Sequence, residues 1–137
     1  MLIRRYTPED KDQLFLMLIA EGPEWSDYYG DTSRHRYEKA LDSSHTYLAY
    51  ESDVLCGYAR CREDDGFGVY VYDLLVAKPY RGRNIGRRLM EQACLEFPDQ
   101  AVYVMSDVDA YYEKLGYARE GSIFIVNLPE QEKNPQA

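Results

Sequence analysis

An α/β (α+β) fold built on a mixed central sheet is predicted by three observations. Strand-like and helix-like runs alternate through both halves of the chain in the order βααβββαβαβ, with no internal repeat. One run, Val69-Tyr70-Val71-Tyr72-Asp73-Leu74-Leu75-Val76, is apolar enough for the middle of a sheet. The length, 137 residues, suits one core and is too short for two. A single domain over residues 1–128 with a flexible polar tail over 129–137 is therefore expected.

Leu2 to Arg5 reads as a short strand. Thr7-Pro8-Glu9-Asp10 then supplies an N-cap Thr, a Pro at the first helical position and acids in the first turn, so a helix starts there. Its apolar positions, among them Leu14 and Leu18, run until Gly22-Pro23 stops it near Ala20. Glu21 to Asp31 reads as a loop rich in acids and aromatics, and a second short helix follows from Ser33 to Leu41. Thr46 to Tyr50 and Val54 to Arg60 form a hairpin around Glu51-Ser52-Asp53, and Glu63-Asp64-Asp65-Gly66 marks the next turn before the Val69–Val76 strand. From Asn84 to about Glu96 the positions Ile85, Leu89, Ala93 and Phe97 recur every four residues, which gives a helix with Pro98 just beyond its end. Ala101 to Met105 is again strand, and Ala110 to Leu115 is a short helix ended by Gly116. Gly121 to Leu128 is expected to close the sheet.

Composition narrows the function. Apolar residues make up 45% and charged residues 29%, as in an ordinary folded globule. No apolar run approaches the roughly 20 residues of a membrane helix, and the first ten residues lack the apolar centre of a signal peptide, so a soluble cytoplasmic protein is expected. Cys56, Cys61 and Cys94 form no C-x-x-C, and His35 and His45 have no ligand spacing with them, so neither a disulfide framework nor a metal site is expected. Sixteen basic against 24 acidic residues give a net charge of −8, which opposes docking on nucleic acid or anionic lipid and favours encounter with cations.

Against that acidic background, Lys78 to Arg88 holds Lys78, Arg81, Arg83, Arg87 and Arg88 and no acid. These cations surround a helix N-terminus, where the dipole and unpaired N–H groups already present positive potential, and that costs stability unless an anion sits there. Gly82 and Gly86 remove side chains at the carboxyl end of the central strand, where α/β sheets bind ligands. The arrangement predicts a phosphate cradle, against the plainer reading of arginines on a solvated helix face. Neither G-x-G-x-x-G nor G-x-x-x-x-G-K-[ST] is present, so the ligand is some other phosphate carrier.

The run Asp73-Leu74-Leu75-Val76-Ala77-Lys78-Pro79-Tyr80-Arg81-Gly82-Arg83-Asn84-Ile85-Gly86-Arg87-Arg88-Leu89-Met90 resembles motif A of the GNAT N-acetyltransferase superfamily. Ala110-Tyr111-Tyr112-Glu113-Lys114-Leu115-Gly116-Tyr117 resembles its motif B, and the likeness extends to about Leu128. The resemblance implies a mixed sheet of about six to seven strands flanked by about four helices, and acetyl-CoA as co-substrate with no metal. It further implies direct transfer to a primary amine in a ternary complex. Pyrophosphate contacts would come from Arg81, Gly82, Arg83, Asn84, Ile85, Gly86 and Arg87, and pantetheine contacts from the backbone of Leu74, Leu75 and Val76. Asn84 stands where the family usually has Gly, and Asn is the non-Gly residue most tolerant of positive φ. Tyr112 falls on the position of the general acid that meets the departing CoA thiolate.

An attacking ammonium must first lose a proton, and the strand position that carries the base in some relatives is Tyr70 here, with Tyr72 on the same face. Asp73 is the only acid on this strand, and the period of two sets it on the face opposite Tyr72. Two roles are open to it: binding or deprotonating the amine, and orienting neighbouring backbone. The loop with Glu21, Glu24, Asp27, Asp31, Trp25, Tyr28 and Tyr29 lies where the family forms its acceptor pocket, and acids with aromatic faces suit a cationic amine. Trp25, Asp27, Tyr28, Tyr29 and Tyr72 are the candidate acceptor contacts, against the plainer reading of a solvated loop with Trp25 tucked into the core. A small-molecule amine is the expected partner and a homodimer is permitted. The competing readings are a non-catalytic acyl-CoA-binding sensor or interaction module, and an acetyltransferase acting on a protein.

Overall fold

Asp10 shows how the chain turns from its first strand into its first helix. In the computed structural model, which describes residues 1–129, β1 (Leu2–Arg5) leads through a 3₁₀ turn at Pro8–Asp10 into α1 (Lys11–Glu21). The Thr7 amide donates to Asp10 Oδ2 at 2.8 Å, which ties off the start of the turn. Arg4 adds a two-pronged contact, Nη1 to Oδ2 at 2.8 Å and Nη2 to Oδ1 at 2.6 Å, and the Tyr50 hydroxyl donates to Oδ1 at 3.0 Å. One buried carboxylate thus joins a strand, a helix start and a neighbouring strand.

The chain divides into two compact units, Met1–Met105 and the segment from Ser106 onward. In the first, Gly22-Pro23 ends α1 as expected, but the expected loop holds a 3₁₀ turn at Pro23–Trp25 and a single helical turn, α2 (Ser26–Tyr29). Then come α3 (Arg34–Ser43), the hairpin β2 (His45–Glu51) and β3 (Val54–Glu63), the long strand β4 (Val69–Val76), α4 (Ile85–Glu96) and β5 (Val102–Val104). The sheet order is β1-β2-β3-β4-β5. All pairs are antiparallel except β4 with β5, which is parallel because α4 supplies the crossover.

One face of the sheet packs on Leu14, Phe15 and Leu18 of α1 and Tyr37 and Leu41 of α3, which meet Leu48, Tyr50, Tyr58 and Leu75 in a single apolar cluster. Against α4, whose Ile85, Leu89, Met90 and Ala93 are buried, the sheet must come close. Gly57 permits this, because a Cβ there would lie 2.9 Å from the Leu75 carbonyl oxygen and 3.3 Å from the Leu89 side chain.

The mixed α/β class is borne out, with two corrections. Among the described residues there are five strands rather than six to seven, and five helices once α2 and α5 (Asp109–Lys114) are included. Gly121–Leu128 forms no strand: among the described residues it has no ladder partner, and Ile123, Phe124, Ile125 and Val126 are 65%, 84%, 85% and 95% exposed. Its β-branched residues fit a half-buried pleated surface, and without a partner strand that propensity is not realised. Of the tail expected over 129–137, residues 130–137 lie outside the described residues.

Arg4 is the main reason the Asp10 carboxyl lies well below its ordinary range. A depressed folded-state value stabilises the fold fully above about pH 4, the unfolded value, and is lost as pH falls below it. Asp10→Asn is expected to cost about 2 kcal/mol in urea unfolding at pH 7, with the gap to the parent narrowing at pH 3.

Candidate active site

β4 carries both halves of the site. Its pairing with β5 stops at Val71–Val104, so beyond Val71 its outer edge has no strand partner among the described residues. The Ala77 amide donates to the Cys56 carbonyl at 2.8 Å, which fixes the alternation: Leu75 turns its peptide groups to β3, and Leu74 and Val76 turn theirs to the open edge. On that edge the Arg81 Nε donates to the Val76 carbonyl at 2.9 Å.

A 3₁₀ turn at Lys78–Tyr80 and a tight loop then deliver the chain to α4. Gly82 has φ +82 and Asn84 has φ +61, so Asn does adopt the left-handed conformation that the sequence asks of it. Among the described residues, the amides from Gly82 to Arg87 have no hydrogen-bond partner, while the Asn84 carbonyl accepts from the Arg88 amide at 3.0 Å to begin the helix. A run of amides at a helix N-terminus suits a pyrophosphate. The arginines sit around this run with protein partners of their own: Arg81 on the Glu21 carboxylate, Arg83 over the Tyr80 ring at 5.4 Å, and Arg87 on Glu91 at 3.3 Å.

The other half lies where β4 bulges. Arg60 pairs with Asp73 but Cys61 pairs with Val71, so Tyr72 is an extra residue opposite no partner. This overturns the strict alternation expected for Tyr72 and Asp73. Both reach the same guanidinium, Asp73 Oδ2 at 2.6 Å from Arg60 Nε and the Tyr72 ring at 5.6 Å from its centre. Asp73 Oδ2 also accepts from the Tyr37 hydroxyl at 2.7 Å, and the Tyr37 and Tyr58 hydroxyls lie 2.7 Å apart. Burial pushes the Tyr37 and Tyr58 phenols far above their ordinary value, so both stay protonated as donors. Burial works against the Arg60 cation, but the Asp73 carboxylate outweighs it and holds the guanidinium charged.

Of the expected acceptor contacts, Trp25, Tyr28 and Tyr29 are half-buried against the core cluster. Trp25 lies 5.4 Å from the Tyr28 ring and 6.3 Å from Tyr58, and Tyr28 lies 4.8 Å from Tyr37. Burial first and the Asp73 carboxylate second raise the Tyr28 phenol. The structure therefore gathers Trp25, Tyr28, Tyr72 and Asp73 around Arg60, Tyr37 and Tyr58. Asp27 is exposed and lines a shallow open cavity of about 200 Å³ with Ser33, Arg36, Tyr37 and Ala40. Sequence reasoning missed Arg60, Tyr37 and Tyr58. The signal was present in β3, where Tyr58 and Arg60 share the face of an inner strand and a cation there calls for a buried partner.

In the second unit, Tyr112 on α5 is half-buried, 5.0 Å from the Tyr111 ring and 6.5 Å from that of Tyr117. Burial pushes its phenol up to about 12, with Tyr111 and Asp107 adding to the effect. Gly116, at φ +86, ends α5, and the Tyr117 amide donates to the Tyr112 carbonyl at 3.1 Å. Among the described residues no cluster of three or more His, Cys, Asp or Glu side chains is placed to hold a metal ion, and no helix is long and apolar enough to cross a membrane.

A strand with an open edge that runs through a left-handed loop into an amide-lined helix start is the core of an acyltransferase fold, and the chain belongs to the GNAT family of acetyltransferases: the family's sequence model matches residues 11–117. An uncharacterized N-acetyltransferase, ycf52, of Porphyra purpurea is 27% identical over 74 residues. That match covers 50% of this chain and 42% of the relative, so the chain spans less than half of the curated protein. Aminoglycoside 6'-acetyltransferase type Ii is similar in structure with TM-score 0.71 and 26% identity, over 88% of this chain and 85% of that one. An aminoglycoside 6'-N-acetyltransferase solved with coenzyme A has TM-score 0.62 and 23% identity, over 85% of this chain and 73% of the other.

The left-handed Asn84 makes a direct stability prediction. Asn84→Val is expected to cost about 1–2 kcal/mol, because a β-branched side chain clashes at positive φ, while Asn84→Gly stays near the parent. Thermal unfolding of the two variants measures the difference.

Proposed function

We propose that this chain is an acetyl-CoA-dependent N-acetyltransferase that acetylates the primary amine of a small, cationic acceptor by direct transfer in a ternary complex. The observation that carries the reading is the run of amides from Gly82 to Arg87 at the start of α4, without partners among the described residues, beside the edge of β4 that is likewise open among them, in a chain of the GNAT family. These groups suit the pyrophosphate and pantetheine of acetyl-CoA: Arg81, Gly82, Arg83, Asn84, Ile85, Gly86 and Arg87 would hold the first, and Leu74, Leu75 and Val76 the second. The structural likeness to an aminoglycoside acetyltransferase solved with coenzyme A supports the same co-substrate. A single domain over residues 1–128 is part of this reading, supported by a family match that runs across the Met105–Ser106 boundary.

In the reaction, the acceptor ammonium gives one proton to water, the free amine attacks the acetyl carbonyl carbon, and as the C–S bond breaks the nitrogen loses its second proton and the departing CoA thiolate is protonated, so that one proton is released overall. Tyr112 is proposed as that acid, since its phenol is pushed up to about 12 and so stays protonated at neutral pH. Asp73 supplies the negative charge that draws the ammonium, and through Arg60 it orients Tyr72. Trp25, Tyr28 and Tyr29 complete an aromatic wall for the amine, with Asp27 contributing to the acidic field that attracts it. A second reading is a non-catalytic acyl-CoA-binding module. It draws on Asp73 being already paired with Arg60, which leaves no unpaired carboxylate on β4 to serve as a base.

Tyr112→Phe separates the two. For the transferase it is expected to lower kcat by about 100-fold and leave the KM for acetyl-CoA within about twofold, measured by CoA thiol release with an amine acceptor. An unchanged kcat removes Tyr112 from the chemistry. Tight acetyl-CoA binding without amine-dependent release would favour the binding module.

A further inference from the structure

The bulge residue Tyr72 is the first of three tyrosines that line one face of β4 and β5. Tyr70 follows, its ring 6.5 Å from Tyr72, and Tyr103 of β5 is its register partner, stacked at 5.2 Å with the planes 23° apart. Tyr70 and Tyr72 are 38% and 45% exposed, so each offers a wet aromatic surface rather than core packing. Gly68, at φ +140, lies beneath: a Cβ there would come within 3.3 Å of the Tyr103 ring and 3.4 Å of the Tyr70 ring. The rail begins at the Arg60–Asp73 pair, where the Tyr72 ring rests on the guanidinium, and leads away from it along β4.

Charge changes along the rail. At the Tyr72 end, the Asp73 carboxylate, whose Oδ2 is taken by Arg60 and the Tyr37 hydroxyl, offers its other oxygen to an ammonium. At the Tyr70 end stands Arg62, the cross-strand partner of Tyr70, which reaches the Ser44 hydroxyl at 3.4 Å and has no ion-pair partner among the described residues. A second ammonium placed beside Tyr70 would meet this cation, whereas a flat, uncharged ring can stack there.

Resting on the transferase reading, we propose that the acceptor is a monoamine carried on a ring, with the amine at Asp73 and the ring face on the Tyr72–Tyr70–Tyr103 rail. Both an aromatic ring and a neutral pyranose have such a face. Arg62 works against an open-chain polyamine, whose second ammonium would come beside it.

The test compares CoA release with four primary amines, namely 2-phenylethylamine, a methyl 6-amino-6-deoxyhexopyranoside, hexylamine and spermidine. Binding of each in the presence of CoA is followed in parallel by saturation-transfer NMR. One of the two ring-bearing amines is expected to exceed hexylamine and spermidine by about tenfold in kcat/KM, and which one it is identifies the ring type. Tyr103→Leu is expected to cut that advantage about fivefold, and Arg62→Gln to raise spermidine relative to the ring-bearing amines, each in protein with a cooperative thermal transition. Equal rates for hexylamine and the ring-bearing amines, or a preference that survives both substitutions, overturns the rail and leaves the transferase standing. If no amine turns over, the transferase reading fails, and binding decides the rail. Binding of a ring-bearing amine that is lost in Tyr103→Leu supports it, and absence of binding overturns it.

Discussion

Burying the Asp73 carboxylate on an inner strand constrains everything near it. An unpaired charge there would cost several kcal/mol, so the fold must bring a cation and hydroxyl donors to the same point. Arg60 comes from the adjacent strand, Tyr37 from α3, and Tyr58 backs Tyr37 through its own hydroxyl. A buried ion pair of this kind adds little net stability, but it admits only one arrangement of its partners. It therefore sets where α3 and the preceding aromatic turn sit on the sheet, and it is the bulge at Tyr72 that lets two consecutive side chains of β4 share one guanidinium.

The same strand changes character within a few residues. Up to Val71 it is an ordinary inner strand with neighbours on both sides. Beyond the bulge it has, among the described residues, one neighbour, and its free edge continues into amides that have no acceptor among those residues. One end of the region offers a carboxylate and aromatic faces, and the other offers N–H groups and arginines. This polarity suits the two partners of an acyl transfer: a cation on one side and a phosphate-bearing thioester on the other. It also accounts for a cluster of arginines in a chain of net charge −8.

The elements that carry strong local signals were legible in the sequence. The Val69–Val76 strand has its expected bounds, the amphipathic pattern after Asn84 is helix α4, and Asn84 takes the positive φ its position requires. What was not legible depends on partners far apart in the chain. The pairing of Arg60 with Asp73 needs the β3–β4 register, and a bulge is invisible to a pattern that assumes a period of two. The apolar run after Gly121 has strand propensity, which by itself supplies no partner strand. The helical turn at Ser26–Tyr29 is too short to show a period, and Tyr28 and Trp25 are ordered by contacts with Tyr37 and Tyr58 instead.

The central claim is that β4's open edge and the start of α4 form one acyl-CoA cradle, and amide NMR with ¹⁵N-labelled protein tests it most directly. On titration with CoA, the account predicts that the largest shift changes fall on the amides of Leu74, Val76 and Gly82 to Arg87, with β1 and β2 little affected. Changes centred elsewhere, or none at CoA concentrations that saturate related transferases, would contradict it.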